Sequence, residues 1–345
     1  MNGGRRLVQA PLRGLSLLQV RHLSTVSFGA ATGDTARVYR DLERDFGVLA
    51  PPVALHAPVP ELLTACWAVL RETMLVGGRA PRAAKEAVAA AVSAGNRCPF
   101  CTTVHGTMLD SLSARPVRRR RADRDGPSTE EVTAWATRGG EPPFPPELLP
   151  ELAGTALCLQ YLNRVVNVFL GPYPLPPNAP ERALGPVLRV LVGLMRGSAR
   201  TAVAPGASLS LLPPAPLPPD LDWAAADPRI SAALARAAAA VERTGADLVP
   251  AAVRAVVAAE LDRWDGTDPG LGRAWLGAPL RELPPDERPA GELALLTALA
   301  SYRVDERVVT AVRQAGAGDR EVLATCAWAA LRAARRRVRH LLHAD

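Results

Sequence analysis

Lysine is almost missing from this chain: Lys85 stands alone, and the remainder of the 41 Lys and Arg residues are arginine. Together with the abundant alanine, proline and glycine, that usage points to a high-GC coding bias, so the net charge of +7 says little about partners. Aromatic residues make up only 4%, and β-branched or aromatic runs of strand type are scarce, which argues against a sheet-based architecture. Close-packed alanine-rich helices remain, and an all-α protein is expected. No apolar run reaches the roughly 18 residues of a membrane span. The nearest, residues 152–170, is interrupted by Gln160, Asn163, Arg164 and Asn167. No secretory signal with a small-residue cleavage site is visible. The first 33 residues hold four arginines and no acid; against a transit peptide, an N-terminal arm packing on a neighbouring molecule, or a misplaced start, is expected. Cysteine is also sparse, five in all, an odd number that fits a reducing, cytoplasmic setting rather than a disulfide scaffold. Cys66, Cys158 and Cys326 stand alone on apolar helical flanks and read as core residues.

What is present is a pattern: Glu86, then Cys98-Pro99-Phe100-Cys101, then His105. Two cysteines three apart on helical backbone have Cα atoms about 5 to 5.5 Å apart, within the range a disulfide tolerates. The pair can open and close without remodelling the fold. Residues 81–94 have strong helical propensity, begin at a proline and meet Gly95-Asn96 as a stop. A second helix opens at Cys98-Pro99. If the two helices run antiparallel, a rise of about 1.5 Å per residue carries Glu86 and His105 to similar depth. Cys101 and His105 are i and i+4 and share a face, while both cysteines occupy a first helical turn, which favours a thiolate. The four residues thus read as a redox-active dithiol with an acid and a base beside it.

Other uses of a Cys-x-x-Cys fit less well. Covalent haem attachment wants His directly after the second cysteine, where Thr102 stands; structural zinc wants four ligands, and only Cys98, Cys101 and His105 are close in sequence. A thioredoxin-type motif sits at a strand-to-helix turn, whereas both flanks here are helical. Two buried cysteines acting as small hydrophobes is the bland alternative. Position leaves open which thiol attacks, since Cys98 is closer to the N-terminal amides and Cys101 shares a face with His105.

The stretch from Lys85-Glu86 through Gly95-Asn96-Arg97-Cys98-Pro-Phe-Cys101-Thr-Thr-Val-His105-Gly106 resembles the core motif of the alkylhydroperoxidase D-like proteins, within the carboxymuconolactone decarboxylase superfamily. All four polar positions match, and the recognisable core covers about residues 36–110. The resemblance implies an all-helical, usually homo-oligomeric protein whose dithiol reduces small hydroperoxides and is regenerated by an external dithiol or disulfide reductase. It implies Cys101 as the peroxide-attacking thiolate, Cys98 as the resolving thiol, and Glu86 with His105 as a proton relay. No metal or flavin cofactor is expected. A dithiol redox sensor or interaction protein, and lactone chemistry of the decarboxylase branch, are the alternatives.

The rest of the chain suggests a duplication. Aligning Glu86 with Glu292 sets Arg97 opposite Arg303 and matches two alanine-rich helices, while Cys98, Cys101 and His105 fall opposite Val304, Arg307 and Ala311. The expected organisation is an arm over residues 1–33, a redox-active domain over 34–175, a proline-rich connector with a helix over 176–220 and a degenerate second copy over 221–345. Proline clusters at 171–177 and 212–219 act as stiff connectors. The basic run Arg115, Arg118–Arg121 and Arg124 lacks interleaved aromatics, so it reads as a solvated loop rather than a nucleic-acid site. Asn163 and Asn167, at i and i+4, are read as helix-packing polar contacts, with lining of the pocket as the alternative.

Overall fold

The computed structural model describes residues 2–113, 127–199, 201–270 and 272–343, with the side chains of residues 2–8 excepted. The arginine-rich loop at 115–124 lies outside the described residues. Within them the fold is all-α, and no strand is present. An N-terminal helix, α1 (Asn2–Leu17), leads to α2 (Gly33–Asp41), the short α3 (Pro51–Ala54) and α4 (Pro60–Leu70). The functional hairpin follows as α5 (Arg82–Gly95) and α6 (Pro99–Ser113), then α7 (Thr129–Arg138) and the long α8 (Leu149–Phe169). Across the connector lies α9 (Leu184–Ala199). The second half comprises α10 (Pro228–Leu248), α11 (Ala251–Arg263), α12 (Gly277–Arg281), α13 (Arg288–Ala300), α14 (Glu306–Gln314) and α15 (Asp319–Leu342).

The centre is α8, buried along almost its whole length. Alanine and glycine let neighbours approach it closely: a side chain at Gly154 would meet Thr73 Cγ2 at 2.8 Å. On one side α8 packs against α5, on the other against α15, and α4 packs on α10, so both halves of the chain share one core. The hairpin α13–α14 repeats the order of α5–α6, with Glu292 on its first helix. No described helix is long and apolar enough to cross a membrane.

Two features differ from the sequence-based expectations. The N-terminal arm docks on its own chain: Gln9 Nε2 donates to the carbonyls of Glu43 and Gly47 at 2.9 and 2.7 Å, and Arg13 pairs with Glu43 at 2.7 Å. The arm finds these partners because a π-helical turn at Leu42–Phe46 leaves carbonyls without helical partners. The connector, expected as a spacer, instead lays α9 across the face of α6 and that π turn. Gly47 allows the approach, turning at φ 111° where a β-carbon would sit 2.7 Å from the Leu194 carbonyl oxygen.

Candidate active site

The hairpin forms as its sequence suggests. The helix α5 is a run of alanine and valine closed by Gly95 and Asn96, and α6 opens at Pro99, whose missing N–H costs nothing in a first turn. Between them Arg97 takes φ 50°, a left-handed conformation that costs a non-glycine residue on the order of 1 kcal/mol. That turn is held by the Cys98 N–H donating to the Ser93 carbonyl at 3.0 Å. Arg97 is fixed from outside by stacking 4.6 Å over the Tyr302 ring and pairing with Asp268 at 3.3 Å.

Folding back brings the predicted four together. Glu86 is fully buried, and its Oε2 lies 2.8 Å from His105 Nδ1. Burial alone would raise the Glu86 carboxyl, but Arg82 and the His105 contact outweigh it and hold the group below its ordinary value of 4.5. An ionised carboxylate only accepts hydrogen bonds, so Nδ1 carries the proton and the Nε2 of a neutral ring is left as a base. Arg82 was not singled out from the sequence. It sits one turn before Glu86, reaches Oε1 at 2.8 and 2.7 Å through two nitrogens, and anchors to the Met74 carbonyl at 3.3 Å. The i, i+4 spacing of an arginine and a glutamate was the available signal.

Both cysteines are free thiols and buried, Cys98 at 1% and Cys101 at 4% exposure. Burial of Cys101 works against the thiolate that the helix N-terminus was expected to favour. Burial pushes the Cys101 thiol well above its ordinary 9.0, and the Cys98 contact adds to that, while hydrogen bonding from Asn163 works the other way. Low-dielectric surroundings penalise the charged sulfur more than the helix end rewards it. Asn163 donates to Ser93 Oγ at 3.1 Å and accepts from Asn96 at 3.0 Å, which ties α8 to the C-terminal end of α5. Asn167 donates to the Asn96 carbonyl at 3.1 Å and to Ser301 Oγ at 3.0 Å, a packing role as expected.

Cys101 and His105 line one apolar cavity of about 60 Å³, walled by Phe46, Pro51, Leu70, Val104, Leu191 and Met195. Two of those walls, Leu191 and Met195, belong to α9, so the connector helix is the cover of the site. Nothing local in α9 signals this, because its partners lie some 90 positions away in the chain. The other three cysteines are buried in the core, as expected.

The fold is all-α, and its Cys-x-x-Cys hairpin holds two buried thiols with a hydrogen-bonded glutamate and histidine beside them. Comparison with known proteins shows the family. A protein of Mycobacterium tuberculosis named alkyl hydroperoxide reductase Rv2159c is 36% identical over 327 residues, covering 92% of this chain and 93% of that protein. This chain belongs to the alkylhydroperoxidase D-like proteins of the carboxymuconolactone decarboxylase superfamily. No family model matches it, and no solved structure matches it.

Proposed function

We propose that this chain reduces small organic hydroperoxides through the Cys98–Cys101 dithiol. The observation that carries the reading is the arrangement of Cys101 and His105 on one apolar cavity, with Glu86 bonded to the far side of the imidazole. His105 Nε2 takes the Cys101 proton while Glu86 stabilises the imidazolium that forms. The thiolate attacks the distal peroxide oxygen, the O–O bond breaks, and the alkoxide leaves with the proton from His105 as an alcohol. Cys101 is then a sulfenic acid, which condenses with the Cys98 thiol to a disulfide and releases water. An external dithiol or disulfide reductase supplies two electrons and two protons to restore the pair. Burial of the resting thiol suits this order, since the proton moves only when an acceptor for charge is in place.

Residues 34–175 carry this chemistry in the proposal, 176–220 connect and cover, and 221–345 are a copy that has lost the thiols. The carboxylate is retained there as Glu292, paired with Arg273 at 3.3 Å. A homo-oligomer is proposed on the family resemblance. The reading is tested by steady-state consumption of cumene hydroperoxide with excess dithiothreitol, comparing wild type with Cys101→Ser and Cys98→Ser. Turnover by the wild type and loss in Cys101→Ser is expected. Absence of turnover would leave a dithiol sensor, and activity on a lactone that survives both replacements would mark acid–base chemistry by Glu86 and His105 instead.

A further inference from the structure

Beside the C-terminal end of α5, a second cavity of about 120 Å³ opens between the two halves of the chain. Arg164 of α8 and Arg337 of α15 both line it, together with Asn96, Ser301, Tyr302 and Asp268. Arg164 is buried, and every partner it has is neutral. Its Nε donates to the Ala298 carbonyl at 2.9 Å, and its Nη1 to the Gln160 carbonyl and Oε1 at 2.7 and 2.6 Å and to Asn96 Oδ1 at 3.3 Å. Arg337 has no hydrogen bond and no ion pair among the described residues.

The charges of this cleft do not cancel. Ala298 and Asn96 lie at the C-terminal ends of α13 and α5, and two such ends supply about half a negative charge each, roughly enough to offset Arg164. Asp268 is the one carboxylate in the lining and is already committed, at 3.3 Å to Arg97, at 3.7 Å to Arg303 and at 2.7 Å to the Tyr302 hydroxyl. Arg337, half-buried, is left without a counter-charge beside the buried Arg164, and even partial burial of an unpaired guanidinium is unfavourable. Burial, then the Arg337 charge, draws Arg164 down to about 9, which still leaves it cationic at neutral pH. Burial lowers Arg337 as well. The cavity is about four times the ~30 Å³ share of a liquid water, room for an ion of a few heavy atoms.

We propose that this cleft between the halves is a binding site for a small oxyanion, a phosphate or carboxylate group, held by Arg337 and Arg164 with a hydroxyl donor from Ser301. The guanidinium fork of Arg337 meets two oxygens of such a group without displacing an existing partner. The site is distinct from the thiol cavity, since Cys101 and His105 are not in its lining.

The test uses the full chain titrated separately with inorganic phosphate and with malonate, at ionic strength held constant with sodium chloride. Calorimetric affinity and thermal unfolding are read for wild type, Arg337→Gln, Arg337→Lys and the exposed control Arg339→Gln. Saturable one-to-one binding of at least one anion is expected, about tenfold or more weaker in Arg337→Gln, intermediate in Arg337→Lys, which keeps the charge but loses the fork, and retained in Arg339→Gln. Without anion, Arg337→Gln should unfold at the same temperature as wild type or higher, since it removes an uncompensated charge. Phosphate binding the tighter marks a phosphate ester as the ligand; malonate binding the tighter marks a carboxylate. No saturation by either anion, equal affinity in Arg337→Gln, or an Arg337→Gln chain that is destabilised or unfolded would each overturn the proposal.

Discussion

Replacing Glu86 by glutamine keeps the shape of the relay and removes its charge. In the wild type the carboxylate accepts from two donors at once, Arg82 at 2.8 Å and His105 Nδ1 at 2.8 Å. An amide has one oxygen and one NH2, so it can satisfy only one of them as an acceptor. Arg82 cannot give up a proton, and the oxygen therefore turns toward it. The NH2 then faces Nδ1, which must become the unprotonated nitrogen, and the proton moves to Nε2. The base that Cys101 needs is gone. What is lost is a hydrogen bond to a charged acceptor, worth about 1.5 to 3 kcal/mol, and at about 1.4 kcal/mol per factor of ten this is a roughly 10- to 150-fold fall in kcat/KM. The loss should appear in steady-state consumption of cumene hydroperoxide, with Cys101→Ser as the floor and thermal unfolding as the check that the variant is folded. A folded Glu86→Gln protein that retains kcat/KM within about threefold, with an unchanged pH profile, refutes the relay, since general acid–base catalysis contributes at least about a hundredfold elsewhere.

Three further outcomes are expected. His56 is buried between the Val53 carbonyl at 3.1 Å and the Tyr161 hydroxyl at 2.7 Å, and burial takes it from 6.5 down to about 4. Its neutral form contributes stability that is complete above 6.5 and is lost as the pH falls toward 4, on the order of 3 kcal/mol in all, so urea midpoints should decline over that window in wild type and not in a His56→Gln chain. Glu151→Ala strands Lys85, whose amine lies 2.5 Å from the carboxylate, and also frees the Arg79 amide held at 2.6 Å; a loss of about 3 to 5 kcal/mol is expected in urea unfolding, with recovery when Lys85→Met is added. Leu191→Ala opens the α9 wall of the cavity and should raise kcat/KM for cumene hydroperoxide relative to hydrogen peroxide by several-fold; an unchanged ratio would show that α9 does not limit access.

The hairpin was legible because its information is local and periodic. Helical rise alone puts Glu86 level with His105, and a glycine stop followed by a proline start marks the turn between them. The state of the thiol was not legible. A helix N-terminus argues for a lowered value, and the opposing effect of burial among Phe46, Leu70, Leu191 and Met195 comes only with tertiary packing. Arg82 was visible as an i−4 neighbour of Glu86, yet such pairs are common on solvated helix faces and nothing local sets this one apart. The cover α9 and the Arg164–Arg337 cleft were invisible for another reason: each is made by residues far apart in sequence, and neither has a periodicity of its own.

The second half offers a natural comparison for Glu86. In the proposed duplication the α13–α14 hairpin carries Glu292 where α5 carries Glu86, and there the carboxylate is 30% exposed and salt-bridged to Arg273 from a loop. The same frame therefore tolerates a glutamate at its edge, half in water, without a histidine beside it. Sinking Glu86 to complete burial demands two compensating partners, and desolvating a carboxylate costs several kcal/mol before they are counted. A fold that can be built without that cost has no structural need to bear it. On the proposed mechanism the depth of Glu86 is accounted for by what lies next to it, an imidazole whose tautomer it sets and a thiol that gives its proton to that imidazole.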